Sequence, residues 1–488
     1  MLYEHTALFN LLFCIKNMKK NVIYWFRQDL RLADNPAFTQ ATQSGKVLPI
    51  YILDDVNTGR YAIGAASCSW LYRSLKLLDA SLDNKLSLFV GDPYRILHAL
   101  IQEFSVSEVF WNDCYEPWRT KRDAVIKSRL QELGVEVITT QASLLWDPRD
   151  VLKHDKSPYR VFTPFYKNGC LKNVPPRDPI SKPHSINLCS KKSVHAVDID
   201  SMGLMTSNNK HLANQGHPGE KHAHSRLQDF LKHGLSNYED GRNFPAQPYT
   251  SGLAPYLHFG EISPHQVWHA VKLDGKSTSH ATFLKEVGWR EFCYNVLYYF
   301  PELPYKNLQS KFDALTWEKH AHLLNAWQNG KTGYPFVDAG MRELQQTGTM
   351  HNRVRMITAS FLVKNLMIHW HEGLKWFWEH LFDADLASNS FNWQWVAGCG
   401  ADAAPYFRVF NPTIQAKKFD PQGDYIRKFV PELAHLPQKY LFEPIKAPEK
   451  ILQQAGVILG TSYPLPIVDL DVSRKYTLKK FNALKYAK

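Results

Sequence analysis

The sequence predicts two unlike units: a doubly wound α/β domain with a parallel sheet, then a large all-α domain. Three observations carry this. Short apolar runs alternate with helix-patterned segments from residue 21 to about 140, which is the signature of βαβ units. Beyond about residue 225 no alternating strand pattern persists, and the chain reads as helices broken by Pro and Gly. At 488 residues the chain also exceeds what one hydrophobic core encloses, since domains run to roughly 150 residues each.

Residues 1–20 read as an N-terminal extension. MLYEHTALFNLLFCIKN has neither the basic start of a signal peptide nor an Arg-rich presequence, whereas Met18 opens MKKNVIYWFRQDL like an ordinary protein start. The α/β domain then spans 21–150. Its predicted strands are Val22 to Phe26, Val47 to Leu53, Leu86 to Val90, Val109 to Trp111 and Val135 to Thr139. Between them stand helix-opening signals: Asn35-Pro36, Asp92-Pro93, and Pro117 ahead of Trp118 to Leu133. Residues 151–222, with VPPRDPISKP and a polar tract holding His211, His217, His222 and His224, read as a connector. The histidines lack ligand spacing and a companion carboxylate cluster, so no metal site is expected. Residues 223–488 form the helical domain, and SRKYTLKKFNALKYAK reads as a solvated last helix.

Composition narrows the function classes. The chain carries 58 Lys and Arg against 46 acids, a formal +12 that favours polyanions such as nucleic acid. No run approaches the roughly 20 apolar residues of a membrane span. The seven cysteines, at 14, 68, 114, 170, 189, 293 and 399, include no CxxC pair, which suggests reduced thiols and a cytoplasmic location. Aromatic residues make up 13% of the chain, many of them beyond residue 280, as core, stacking sites or both.

Two glycine motifs are decoys. Gly330-Lys331-Thr332 lacks the preceding strand and first glycine of a P-loop, and Gly398-Cys399-Gly400 lacks the third glycine and βα setting of a dinucleotide fingerprint. Thr250-Ser251-Gly252-Leu253-Ala254 is different, because hydroxyls and a glycine ahead of a helix suit an anion or a plain helix cap. The richest segment is DADLASNSFNWQW at 383–395, followed by GADAAPYFR at 400–408.

That segment resembles the flavin-binding core of the photolyase and cryptochrome family. So do WFRQDLRLADNPA at 25–37, TSGLAPYLHFGEIS at 250–263, WREF at 289–292, GKTGYPFVDAGMREL at 330–344 and MHNRVRMITASFLVKNL at 350–366. The matches run in order from residue 21 to about 437, and within the family the chain is most similar to the cyclobutane pyrimidine dimer (CPD) DNA photolyases. The resemblance implies light-driven DNA repair by a carbon-carbon lyase. In that scheme an antenna chromophore passes excitation to fully reduced FAD, one electron goes to a flipped-out dimer, the ring splits and the electron returns.

The resemblance also implies roles by position. Tyr238 and Thr250 through Ala254 match phosphate-side contacts of FAD. Asp383, Ala384 and Asp385 lie beside ribose and isoalloxazine, Arg355 pairs with Asp383, and Asn389 faces flavin N5. Trp393, Trp370 and Trp317 match an electron-transfer chain to the flavin. Glu286, Trp289, Asn352, Met356 and Trp395 match the lesion pocket, with Glu286 counted among the catalytic residues. Arg242, Arg353, Arg408 and Gln415 match the DNA-facing surface. Asn112 and Glu116 stand near the antenna site, where methenyltetrahydrofolate is the first expectation and a deazaflavin the second. Helical spacing agrees, because Asp385 and Asn389, Glu286 and Trp289, and Asn352 and Met356 are three or four apart and share faces. The expected partner is UV-damaged DNA, with the protein acting as a monomer without membrane, metal or obligate protein partner. Two departures stand out: Thr349 replaces a usual tryptophan, and Ile445 another. The rival reading is a cryptochrome photoreceptor without repair. A (6-4) photolyase would place histidines where Asn352 and Met356 stand, and an iron-sulfur relative would need more cysteines than Cys293 and Cys399 in the helical domain.

Overall fold

A computed structural model of the protein describes residues 20–403 and 408–484. Nearly all of the expected N-terminal extension, with Met18, therefore lies outside the described residues.

Five parallel strands form one sheet in the order β3-β2-β1-β4-β5: β1 (Asn21–Phe26), β2 (Lys46–Leu53), β3 (Ser87–Val90), β4 (Glu108–Asn112) and β5 (Glu136–Thr140). Each matches a predicted run within about a residue at either end. β1 is buried on both sides, as a central parallel strand must be. Its alternate residues feed two cores: Val22, Tyr24 and Phe26 join the large core shared with the helical half, while Ile23 and Trp25 join a smaller one with Leu48, Ile50 and Trp111. The crossover helices begin where their caps predict. Asn35 accepts from Phe38 N–H ahead of Pro36–Ser44, and Asp92 accepts from Arg95 N–H ahead of Pro93–Phe104. The strand order reverses between β1 and β4, which opens a crevice at the carboxyl ends of the strands.

The connector is more ordered than its sequence suggests. Leu188 bridges to Val47 and extends the sheet beside β2, and Phe162, Phe165 and Tyr166 are buried in the main core. Its histidines serve the fold, with His211 bonded to Gln345 O, His222 to Pro218 O and His224 to Gln266. The last helix, Leu470–Ala483, is solvated over most of its length, with one buried stripe. It buries Ser473 and Thr477, and Asn365 donates to Ser473, because its small hydroxyl residues fit against Phe361–Asn365.

The helical half is organised around Leu386–Ala397. Thr278–Tyr299, Trp370–His380 and Asn352–Ser360 all pack on it. The two halves are bolted together by WFRQDLRLADNPA. Arg31 is fully buried and donates to Gly260 O (2.9 Å) and Ala142 O (3.1 Å). Gly260 sits at φ +66°, where a Cβ would lie 2.1 Å from Gln28 O, so only glycine permits this approach.

Candidate functional site

Asp385 caps Leu386–Ala397, accepting from Ser388 N–H at 2.7 Å, where a negative charge also meets the positive end of the helix. It accepts from the Tyr294 hydroxyl, and the His258 imidazole stands 3.9 Å away. Burial opposes ionisation, yet His258, Arg290 and Tyr294 hold the carboxyl down at about 2. Asp383 takes an ion pair from Arg355 at 3.0 Å, and Arg355 is itself fixed to Met350 O at 2.7 Å. One turn into the helix, buried Asn389 donates its amide to Leu374 O at 3.1 Å. That bond sets the amide orientation. Its Oδ1 therefore faces the other way, and nothing among the described residues donates to it.

The loop at 250–254 is clamped from behind. Arg226 donates to Ser251 O (2.7 Å) and Thr250 O (2.9 Å), and Gly252 takes φ +64°. Leu253 N–H reaches Ser251 Oγ at 3.3 Å before the short helix Ala254–Phe259 begins. His258 on that helix faces Asp385 at 3.9 Å, so the hydroxyl loop leads into an element that reaches the carboxylate. Tyr238 is buried nearby in the helical core, its ring edge-on to Phe230 and Phe283.

Trp393 is buried on the same helix as Asn389, and its ring fills the space where a Cβ on Gly373 would lie 2.0 Å from it. Gly373 belongs to Trp370–His380, so that helix carries both Trp370 and the seat of Trp393. Trp370 is buried and donates to Asn307 Oδ1 at 3.0 Å, whereas Trp317 is only half-buried. Trp327 also touches Trp393, 6.3 Å between centroids, but is wholly enclosed and offers no exit.

A second group gathers on the adjoining face. Trp289 stacks on Phe162 at 3.9 Å and 10°, and meets Phe391 edge-on at 6.1 Å. Trp395 donates its indole N–H to Asp402 O at 3.1 Å. Glu286 pairs with Arg242. Arg353 bonds Asn243, covers the Phe419 ring at 4.5 Å and approaches Met356 Sδ at 3.8 Å. Asn352 and Arg408 are exposed, and Gln415 is half-buried on Pro412–Phe419.

A cavity fills the sheet crevice between the halves. Trp25, Arg27, Glu116, Trp118, Arg119 and Arg122 line its walls, and His258, Ala384 and Leu386 its helical side. Glu116 thus faces this space. Asn112 is not among the lining residues; it is buried in a network with Tyr24, Asp29, Asn35 and Thr140 that ties β4 to the opening of the first crossover helix.

Comparison with known proteins bears on what this arrangement is. Residues 22–183 match the DNA photolyase model, and residues 283–483 the FAD binding domain of DNA photolyase. The chain is 45% identical to a deoxyribodipyrimidine photo-lyase of Agrobacterium fabrum, over 95% of this chain and 98% of that protein. The chain belongs to the DNA photolyase family. A crystal structure of a class III photolyase from Agrobacterium tumefaciens superposes with a TM-score of 0.91 at 44% identity, covering 96% of this chain and 98% of that one. The family also includes cryptochromes: the chain is 34% identical to cryptochrome-1 of Arabidopsis thaliana, over 93% of this chain and 69% of that protein.

Read as a photolyase-family site, the sequence left several participants unnamed. Arg226 shapes the 250–254 loop, His258 and Tyr294 hold Asp385, and Arg27, Arg119 and Arg122 line the crevice, ion-paired with Asp123, Glu116 and Asp54 respectively. Most were hidden because they act across the fold, on a partner far away in sequence; Arg119, paired with Glu116 three residues before it, is the exception. Of the departures, Thr349 bonds its neighbour Thr347, and Ile445 is half-exposed. Gly330-Lys331-Thr332 is accounted for without phosphate, since Thr332 and Gly333 donate to the buried Asp338 carboxylate. Among the described residues no helix is long and apolar enough to cross a membrane, and all six cysteines are free.

Proposed function

We propose that this chain is a light-driven deoxyribodipyrimidine photo-lyase that repairs CPDs in DNA. The observation that carries the reading is one helix serving two sites. Leu386–Ala397 presents Asn389 on the flavin side and, through Phe391, supports the Trp289 wall of the lesion pocket. An electron leaving the flavin side would therefore have a short way to travel.

The residues fit FAD. Asn389 keeps Oδ1 available for an N–H donor, which a reduced flavin offers at N5 and an oxidised one does not. Buried His258 Nδ1 makes no hydrogen bond among the described residues, ionised Asp385 beside it gives the site a fixed negative charge, and the short helix that carries His258 starts at the 250–254 loop. When bound, the flavin supplies the light-driven one-electron chemistry. The protein's own work is to hold, orient and desolvate. Arg355 and Asp383 fix one rim, Asp385 caps the helix, and Trp289, Trp395 and Met356 offer apolar contact to a flipped dimer. Glu286, held by Arg242, presents a carboxylate to the base edges, while Arg353, Arg408 and Gln415 face the DNA backbone. Trp393, Trp370 and Trp317 lead from the buried side toward solvent and would serve reactivation of oxidised enzyme.

The crevice suits a planar antenna chromophore, because the rings of Trp25 and Trp118 line it beside three arginines that are ion-paired with Asp123, Glu116 and Asp54. Methenyltetrahydrofolate is the first candidate and a deazaflavin the second. The same reading divides the chain into an antenna unit to about 150, a connector to about 222 and a catalytic unit.

Blue light on a thymine-dimer oligonucleotide with reduced, flavin-loaded protein should restore thymines. Flavin bound and reduced without repair would transfer the reading to a photoreceptor.

A further inference from the structure

Trp317 and Trp370 lie on different segments, and the ring that touches both is an imidazole. His369 meets Trp317 edge-on, centroids 5.0 Å apart at 62°, and lies closer to parallel with Trp370, 5.5 Å apart at 27°. The Trp317 segment is held beside it by Glu318 N–H donating to Met367 O at 2.8 Å. His369 has a second duty, since its Nδ1 accepts from His371 N–H at 3.1 Å and caps Trp370–His380. Burial, with Lys375 nearby, pushes its pKa down to about 4. The ring therefore adds no positive charge beside an oxidised tryptophan, where like charge would oppose the transfer.

We propose that His369 is a positioning residue of the outer electron hop, its ring bridging Trp370 to Trp317. This rests on reading Trp393, Trp370 and Trp317 as one path. In that path one electron passes from Trp393 to light-excited oxidised flavin, Trp370 refills Trp393, Trp317 refills Trp370, and a dissolved thiol reductant refills Trp317. No bond is made or broken at His369, and it undergoes no net oxidation.

Two substitutions in the full-length flavoprotein separate bridge from cap. His369→Asn keeps a good helix cap and removes the ring, whereas His369→Phe keeps a ring and removes the cap. Flash photolysis should show the hop from Trp317 to Trp370 slowed at least several-fold in His369→Asn and near normal in His369→Phe. Thermal unfolding should show the opposite ranking, with His369→Phe the less stable. A normal hop in His369→Asn overturns the proposal, whatever His369→Phe does. Trp317→Phe tests the underlying path separately: if photoreduction is unchanged there, the path itself is wrong rather than the bridge.

Discussion

Single atoms set the character of the proposed flavin side. Asp385 combines a capping bond with a charge, and the two are separable because Asn also caps well. Asp385→Asn should retain the helix and lose most bound flavin, while Asp385→Ala should lose flavin and about 1 kcal/mol of stability besides; flavin content and Tm measured together distinguish them. The charge contributes stability above the ordinary carboxyl value of 3.8 and loses it as pH falls toward about 2. Gly373 is the tightest point, since a methyl there meets the Trp393 ring. Gly373→Ala should cost about 1–3 kcal/mol through overpacking and slow photoreduction by displacing Trp393. Unaltered stability and photoreduction would show that the ring can move aside. Asn389→Ser removes the amide acceptor, so reduced flavin should reoxidise faster in air; equal lifetimes would count against the orientation argued for Oδ1.

At the scale of elements, the proposed lesion pocket is assembled by three helices and one piece of connector. Phe162 lies flat against Trp289 and fixes the plane of that indole, a contact the connector's sequence does not announce. Trp289→Ala should lower the preference for dimer-containing over undamaged DNA by about 1–3 kcal/mol, as loss of one stacking contact implies. Its salt dependence should stay put. Arg353→Ala should weaken both DNAs and reduce the salt slope by roughly one, because phosphate contacts release counterions whether or not damage is present. Titrations at several salt concentrations decide, and a Trp289→Ala protein with unchanged preference would remove that residue from the pocket.

Over the whole molecule, buried titratable groups bind the halves and set the response to pH. Glu291 accepts from Leu145 and Trp146 N–H across the junction, and Glu261 accepts from Trp70, Ser74 and Gly219. Burial pushes both carboxyls up to about 7, so the folded state holds protons that the unfolded chain releases. Stability from this pair falls as pH rises from about 4.5 to 7. His265, His351, His369 and His371 act the other way, because burial and neighbouring cations lower each to about 4 from 6.5. Four imidazoles outweigh two carboxyls, so Tm should fall between pH 6.5 and 5; a flat or rising Tm on acidification would contradict this balance.

The sequence by itself determined the order and type of the elements, the parallel sheet and the family. These depend on local signals: buried β-branched runs, prolines behind Asn and Asp caps, and motifs whose residues lie within a turn of one another. Asp385 and Asn389 were legible for that reason. Tertiary structure alone decided which distant groups meet. That Arg242 answers Glu286, that His258 stands beside Asp385, that Phe162 supports Trp289 and that Asn112 belongs to the sheet's own network all depend on how separate segments pack. One stripe of the last helix was decided the same way, since Ser473 and Thr477 are buried only because Phe361–Asn365 supplies the surface that covers them. A side chain's surroundings are fixed by the elements that approach it through space, and no spacing along the chain encodes that approach.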